Sequence, residues 1–442
     1  MKKLFTALFI LLFCLNIQTA HAKGKNDFAS VIKNSGIDKT SVGISFKSAD
    51  TGKPIYELNE KILFHPASVQ KIMTTVSAVD ILGEDYEFTT TLYKKGDNSY
   101  LIKLGGDPYL TSGDLKQLVN GMNAEVKTVC IDDSVLEKKD WGEGWQWDDD
   151  MNVLMPRFNS YNLDKNLAKI TVMPSEETVS IINPSKYPFV FINNVIIGEK
   201  NNIKITRGAE LPPNTLLLEG TISKPFTAFI PINNLKQYFN IKLKGALAER
   251  KIYLKDGFAL SKYNNSDTEI DKITHPLTQA VKDVFHNSNN MVSETVFRLA
   301  GGKAYNGTGT DIYGIKVFEE YCKKLGLDNS KIRIADSSGV SKNNLSSADF
   351  ITEYLVKTKD NALYDFLPAP GEGTLTHRML PLKDNLKAKT GTLGDSSSIA
   401  GFLTSKSGNK YVFCIIINDT ASTISDMKML ENYLIREAYL RL

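Results

Sequence analysis

The sequence predicts a multidomain α/β chain: an α/β sandwich, its antiparallel sheet flanked by helices, with a large insertion of α/β and β-rich domains. Three observations predict it. Strand patterns occur at both chain ends, over 40–48 and 54–58, then over 386–392, 397–404 and 410–417, with turns at 49–53 and 405–409. Helical runs, Ser68 to Leu82 and about Ile424 to Tyr439, accompany them. Between the ends lie the 187 residues 85–271, too many for a loop.

The chain opens with Lys2-Lys3, an apolar stretch from Leu4 to Leu15, and the small-x-small site Ala20-His21-Ala22. This reads as an export signal cleaved after residue 22. Twelve apolar residues fall short of the roughly 20 that cross a bilayer. Cys14 raises a lipoprotein alternative, against which Phe13 stands where a small residue is needed. No later run is long enough to span, so the mature chain is expected to have no integral membrane segment. It belongs in the periplasm, or outside the cell if there is no outer membrane. The formal net charge of +3 falls to +1 once Lys2 and Lys3 are lost. Such a balance is unsuited to nucleic acid, whose affinity comes from many cationic contacts. Cys130, Cys322 and Cys414 remain and read as buried thiols packed as small hydrophobes. His65, His275, His286 and His377 form no HExxH or Cys/His cluster, so neither a metal nor a cofactor is expected.

In the run from Ser68 to Leu82, Ile72, Met73, Val76, Ala78, Val79, Ile81 and Leu82 cover most of the circumference, which predicts a buried helix. Gly83 is its stop. Residues 85–150 mix short strands with a helix near Ser112 to Met122. Residues 166–230 are strand-rich and punctuated by Pro174, Pro184, Pro188, Pro212 and Pro213. A helix near Asn234 to Phe239 follows. The expected domains are I (23–84 and 272–442), an inserted α/β domain II (85–165 and 231–271) and an inserted β-rich domain III (166–230).

Three short patterns appear in order: Ser68-Val-Gln-Lys71, Ser288-Asn-Asn290 and Lys389-Thr390-Gly391. Each alone is weak. Ser-x-x-Lys recurs at Ser30, Ser407 and Ser425, and an isolated copy is most often a helix cap beside a surface lysine. Position singles out Ser68, at the start of the buried run and beside Pro66. Residues three apart on a helix share a face, so Lys71 can reach the Ser68 hydroxyl. A serine at a helix start lies near free backbone N–H groups, which can stabilise an oxyanion. Lys71 can serve as base only when neutral, and burial beside a second cation, Lys389, favours that. Ser288 can pass a proton to a leaving amine, and Asn290 can position a substrate backbone. Gly391 lets a ligand approach the strand, and the Thr392 N–H is a second oxyanion donor beside that of Ser68. Lys389 with the Thr390 and Thr392 hydroxyls makes a cradle for a free C-terminal carboxylate.

The ordered trio resembles the set found in penicillin-binding proteins and class A β-lactamases. The whole mature chain resembles the class C low-molecular-mass penicillin-binding proteins, D-Ala-D-Ala carboxypeptidases and endopeptidases of the penicillin-binding protein 4 type. The likeness extends through GGDPYLTSGDL (105–115), GWQWDDD (144–150), ADSSGVSKNNL (335–345), GEGTLTHRM (371–379) and KAKTGTLGDSSSIAGF (387–402). It implies a penicillin-binding-protein and serine β-lactamase-like core. It further implies acylation of Ser68 by the D-Ala-D-Ala ends of peptidoglycan stem peptides, and covalent trapping by β-lactam antibiotics. Relatives hold the stem peptide's free amine with an acidic residue in the Trp-x-Trp segment. Asp149 matches best, with Asp148 and Asp150 as neighbours; a solvated acidic loop is the bland alternative. Lys342 falls where relatives carry an Arg near the substrate. Asn289 stands where many relatives have Asp, and Gly394 where some have a longer polar side chain. A β-lactamase is the rival enzyme, but no Glu-containing loop of the class A kind is evident between Ser288 and Lys389. A non-catalytic cell-wall-binding protein is the rival outside catalysis, opposed by the complete trio.

Overall fold

The computed structural model describes residues 28–208, 210–418 and 421–442; the leader expected at 1–22, with Cys14, lies outside them. Packing divides the chain into two compact units. One takes the chain up to Ser77 with Val281–Ser288 and Phe318–Leu442; the other takes Ala78–Ala280 with Asn289–Val317.

The first unit is built on a five-stranded antiparallel sheet in the order Leu386–Leu393, Ser396–Thr404, Lys410–Asn418, Val42–Ser48, Pro54–Leu58. Its middle strand, Lys410–Asn418, is rich in β-branched and aromatic residues and buried on both faces, so it reads as a continuous apolar run, not as an alternation. On one face Ile44, Phe46, Phe413, Ile415 and Ile417 share a core with Phe28 and Ile32 of the helix 28–35 and with Leu430, Leu434 and Ile435 of the helix Ile424–Arg441. Burying each such side chain is worth about 1.5–3 kcal/mol, which is what fixes these helices. Thr423 and Asp426 start the last helix with a reciprocal capping box. On the other face lies the helix Ala348–Thr358, whose Thr352 hydroxyl meets that of Ser45 at 2.8 Å. These strands begin and end within two residues of the expected bounds.

The second unit holds a mixed five-stranded sheet in the order Phe258–Leu260, Val129–Asp132, Ser99–Lys103, Glu87–Lys95, Thr268–Pro276. Its core includes residues of the helices Ser112–Leu118 and Leu235–Glu249. The second of these runs ten residues beyond the expected Phe239, because Leu243, Ala246 and Leu247 continue the buried stripe begun by Leu235, Tyr238 and Phe239. Two three-stranded sheets, Asn202–Thr206, Thr215–Ile222, Val190–Ile197 and Phe226–Pro231, Leu167–Pro174, Val179–Ile182, enclose a separate core of Ile170, Val172, Val195, Leu216, Leu218, Ile222 and Ile230. Cys130, Cys322 and Cys414 are buried free thiols. No helix among the described residues is long and apolar enough to cross a membrane.

Candidate active site

The run expected as one helix from Ser68 is a tight 3-10 turn, Ala67–Gln70, followed by the α-helix Lys71–Leu82. The difference matters. A 3-10 turn has three residues per turn and eclipses positions i and i+3, which stacks Lys71 directly over Ser68. Lys71 Nζ lies 2.8 Å from Ser68 Oγ and donates to the Ser338 carbonyl at 2.6 Å. The Lys71 side chain is fully buried. Ala67, immediately before Ser68, sits in the left-handed region at φ +47°, a conformation that costs a non-glycine residue on the order of 1 kcal/mol and persists only where its surroundings enforce it. The enforcement is visible: the turn packs against the strands Leu386–Leu393 and Ser396–Thr404.

In the segment 335–345 the sequence points to a role for Lys342 alone. The structure gives the segment a second part to play. The Asp336 carboxylate accepts from the Gly339 N–H (2.7 Å), the Ser341 N–H (2.8 Å) and Asn344 Nδ2 (2.7 Å), winding the loop on itself. Gln70 Nε2 reaches Asn344 Oδ1 at 3.0 Å, and Thr74 Oγ1 donates to the Ser337 carbonyl at 2.9 Å, tying the loop to the serine-lysine turn and helix. The Ser338 carbonyl thereby becomes a fixed acceptor for Lys71.

Ser288 follows the helix Leu277–His286 and is itself at φ +57°. Its Oγ accepts from Lys389 Nζ at 2.8 Å, and the same ammonium donates to the Thr390 carbonyl at 2.7 Å. Lys389 is fully buried; burial first, and the charge on Lys71 second, push its ammonium well below the ordinary lysine range. The strand Leu386–Leu393 is a sheet edge. The Ala388 N–H leaves the sheet for the Pro368 carbonyl at 3.1 Å, so the two-residue alternation puts the Thr390 and Thr392 N–H groups on that outer edge. Thr392 is exposed. The Thr390 hydroxyl donates to Thr374 Oγ1 at 2.7 Å.

Gly391 is glycine for a reason the sequence did not disclose. A Cβ there would stand 2.3 Å from Ser398 Oγ, 2.8 Å from the Ser68 nitrogen and 2.9 Å from Ala67 Cβ. The room next to this strand is filled by the serine turn itself, and Ser398 is held in turn by the Pro66 carbonyl at 2.7 Å.

Ser68, Lys71, Ser288, Lys389, Thr390, Gly391 and Thr392 all belong to the first unit, and hydrogen bonds link two pairs of the ionisable and hydroxyl groups directly. Lys342, in the same unit, pairs instead with Asp395 at 2.7 Å, both side chains well exposed. Asn290 opens the helix Asn290–Ala304 in the second unit, and its amide donates to the Leu154 carbonyl at 2.9 Å. Asn289 caps that helix by accepting from the Val292 N–H at 3.1 Å, a task an aspartate does as well. Of the three aspartates on the turn Trp147–Met151, Asp150 is paired with Arg207 at 2.9 Å. Asp148 is exposed, and burial together with the Asp148 charge raises the Asp149 carboxyl above its usual range. No cluster of three His, Cys, Asp or Glu among the described residues is placed to hold a metal ion.

The chain was compared with known proteins. It is 26% identical over 413 residues to the D-alanyl-D-alanine carboxypeptidase DacB of Haemophilus influenzae, an alignment covering 86% of this chain and 85% of that one. It is 22% identical over 437 residues to a D-alanyl-D-alanine carboxypeptidase of Actinomadura, covering 89% and 80%. The crystal structure of penicillin binding protein 4 from Haemophilus influenzae superposes with a TM-score of 0.81 at 24% identity, over 94% of this chain and 99% of that one, and so shares the fold. The profile of one family matches residues 25–434, nearly the full length, and on that match the chain belongs to the D-Ala-D-Ala carboxypeptidase 3 (S13) family.

Proposed function

We propose that the protein is a serine-type D-Ala-D-Ala carboxypeptidase that acts on peptidoglycan stem peptides through a Ser68 acyl-enzyme and is inhibited covalently by β-lactams. The observation that carries this reading is the amine of Lys71, sealed from solvent, 2.8 Å from Ser68 Oγ. Neutral Lys71 takes the Ser68 proton as Oγ attacks the carbonyl carbon of the penultimate D-Ala. The oxyanion faces the N–H groups of Ser68 and Thr392. Ser288 delivers a proton to the departing D-Ala amine and is reprotonated with the proton that Lys71 took from Ser68, which leaves Lys71 neutral again. Water then cleaves the ester and restores Ser68. Lys389 with the Thr390 and Thr392 hydroxyls receives the terminal carboxylate, Gly391 keeps the strand against the serine, and Asn290, Asp149 and Lys342 contact the rest of the peptide. Crosslinked stems, whose scissile bond has the same D,D chemistry, are a second substrate class.

Two further parts belong to the same reading. The protein is exported by its leader, to the periplasm or to the exterior where there is no outer membrane. Residues 85–271 form an insert of domain II (85–165 and 231–271) and domain III (166–230) within domain I (23–84 and 272–442); the separate apolar core over 170–230 supports the distinction between the two inserted parts. The β-lactam complex solved for the Haemophilus influenzae penicillin binding protein 4 supports the inhibitor class.

The test is labelling by a fluorescent penicillin with the modified peptide identified by mass, together with D-Ala release from a pentapeptide. Wild type is expected to be labelled at Ser68 and to release D-Ala, and Ser68→Ala to do neither. Labelling of that variant at another residue would sink the assignment. Fast turnover of a chromogenic cephalosporin would favour a β-lactamase instead.

Gly391→Ala is expected to slow acylation by about 10- to 100-fold, since an added methyl in a packed site costs about 1–3 kcal/mol and here it would press on Ser398 Oγ, which the Pro66 carbonyl holds, and on the nucleophile's own backbone nitrogen. Rates of penicillin labelling check it. A variant within threefold of wild type would mean the strand and the serine turn part freely.

A further inference from the structure

The turn 371–378 touches the second and third motifs at once. Gly373 has φ +45°, and a Cβ on it would lie 2.5 Å from the His286 carbonyl oxygen and 3.0 Å from that residue's Cα. The turn is therefore packed against the backbone two residues before Ser288. One residue on, Thr374 Oγ1 accepts the Thr390 hydroxyl at 2.7 Å. Leu375 is buried in the core of the sheet, and Arg378 bonds Glu431 and Asn432, each at 2.7 Å. The turn is thus anchored at its far end and bears on both motifs at its near end.

We infer that Thr374 is a positioning residue for recognition of the substrate's terminal carboxylate, acting through the Thr390 hydroxyl. The inference rests on the Ser68 acyl-enzyme reading above. The Thr390 hydroxyl donates to Thr374. When a carboxylate arrives, the Thr390 O–H turns to it, and the Thr374 O–H donates to the lone pair left behind. Two hydroxyls exchange donor and acceptor roles, no proton changes owner, and Thr390 Oγ keeps its position throughout. A valine at 374 preserves shape but offers neither role; a serine offers both.

The experiment compares acylation by benzylpenicillin, which carries a free carboxylate, with acylation by its methyl ester, which does not. Wild type, Thr374→Val, Thr374→Ser and Ser68→Ala are each measured. In Thr374→Val the preference for the acid over the ester is expected to fall about tenfold, in line with loss of support to one charge-assisted hydrogen bond. Thr374→Ser should restore it to within threefold. A merely structural role would slow both probes alike and leave the ratio unchanged, and that result would overturn the inference. So would failure of the serine variant to restore the ratio. Absence of labelling in wild type would remove the acyl-enzyme reading and this inference with it; Ser68-dependent labelling with an unchanged ratio would remove this inference alone.

Discussion

Lys71→Met lowers the rate of acylation by penicillin by about 10²- to 10⁴-fold, the span that a positioned general base contributes. Methionine keeps the apolar body of the side chain and removes the amine, so the buried turn loses little packing. What goes is the nitrogen 2.8 Å from Ser68 Oγ. Residual reaction with the thioether in place measures what the backbone donors and Ser288 achieve without a base. The same pocket sets the pH dependence. Lys71 and Lys389 are both buried, and burial first and the charge on Lys71 second hold the Lys389 ammonium well below the ordinary lysine range. Replacing Lys389 by methionine removes one positive charge. The remaining ammonium then holds its proton to higher pH, and the acid limb of the acylation profile moves to more alkaline pH. A plot of labelling rate against pH for wild type and Lys389→Met reads this directly. A limb that stays put, or moves to acid, would mean that the two amines do not share a field, and a Lys71→Met rate within tenfold of wild type would mean that another group activates the serine.

Much of this arrangement was legible in the sequence, and the parts that were not share a cause. The buried helix announced itself because Ile72, Met73, Val76, Ala78, Val79, Ile81 and Leu82 cover most of its circumference, and the strands because runs such as 412–417 hold apolar side chains and a thiol alone. Three ordered motifs sufficed to choose Ser68 over Ser30, Ser407 and Ser425. The sequence could not say that the serine sits in a 3-10 turn, since pattern alone does not separate 3.0 from 3.6 residues per turn over four positions. Nor could it show that the Ser338 carbonyl holds Lys71. That acceptor is a backbone atom, and any residue supplies one; what matters is the set of bonds from Asp336, Asn344 and Gln70 that aims it. Gly391 shows the same limit. A glycine on an edge strand invites a ligand in reasoning, and only the coordinates disclose that Ser68 already fills the space. Spacing along the chain shows which groups a local turn brings together; contacts between residues 270 positions apart have no such signal.

The other large effect is on stability. Glu431 has no exposed side chain surface, accepts from Arg378 at 2.7 Å and accepts from the Ser397 hydroxyl at 2.7 Å; Ser397 stands opposite Thr392 in the sheet. Glu431→Ala leaves the Arg378 guanidinium, itself mostly buried, without its counter-charge and is expected to cost about 3–5 kcal/mol. Against the 5–15 kcal/mol of a typical domain that is a large fraction of the whole. Arg378→Ala should differ in its pH dependence. Burial already raises the Glu431 carboxyl above its usual range, with Arg378 the main opposing influence. Raised in the folded state, this group's favourable contribution is complete below the unfolded carboxylate range and is lost as pH rises through the folded value. Removing Arg378 lifts the folded value further, so the deficit relative to wild type is small in acid, where Glu431 is protonated in both, and grows towards neutral pH. Glu431→Ala trends the opposite way: it removes a group whose favourable contribution is complete in acid and lost as pH rises, so its deficit shrinks towards neutral pH. Denaturant unfolding of both variants at pH 5 and pH 8 separates them. Equal losses at the two pH values for Arg378→Ala would show that the carboxylate stays charged without its partner. The paired replacement Arg378→Met with Glu431→Leu should recover most of the loss, since exchange of a buried ion pair for apolar groups is often neutral. If it does, the pair's role lies in where it holds the turn 371–378 and the Ser397 strand, and acylation rates of the recovered variant would reveal how much of the site's geometry depends on it.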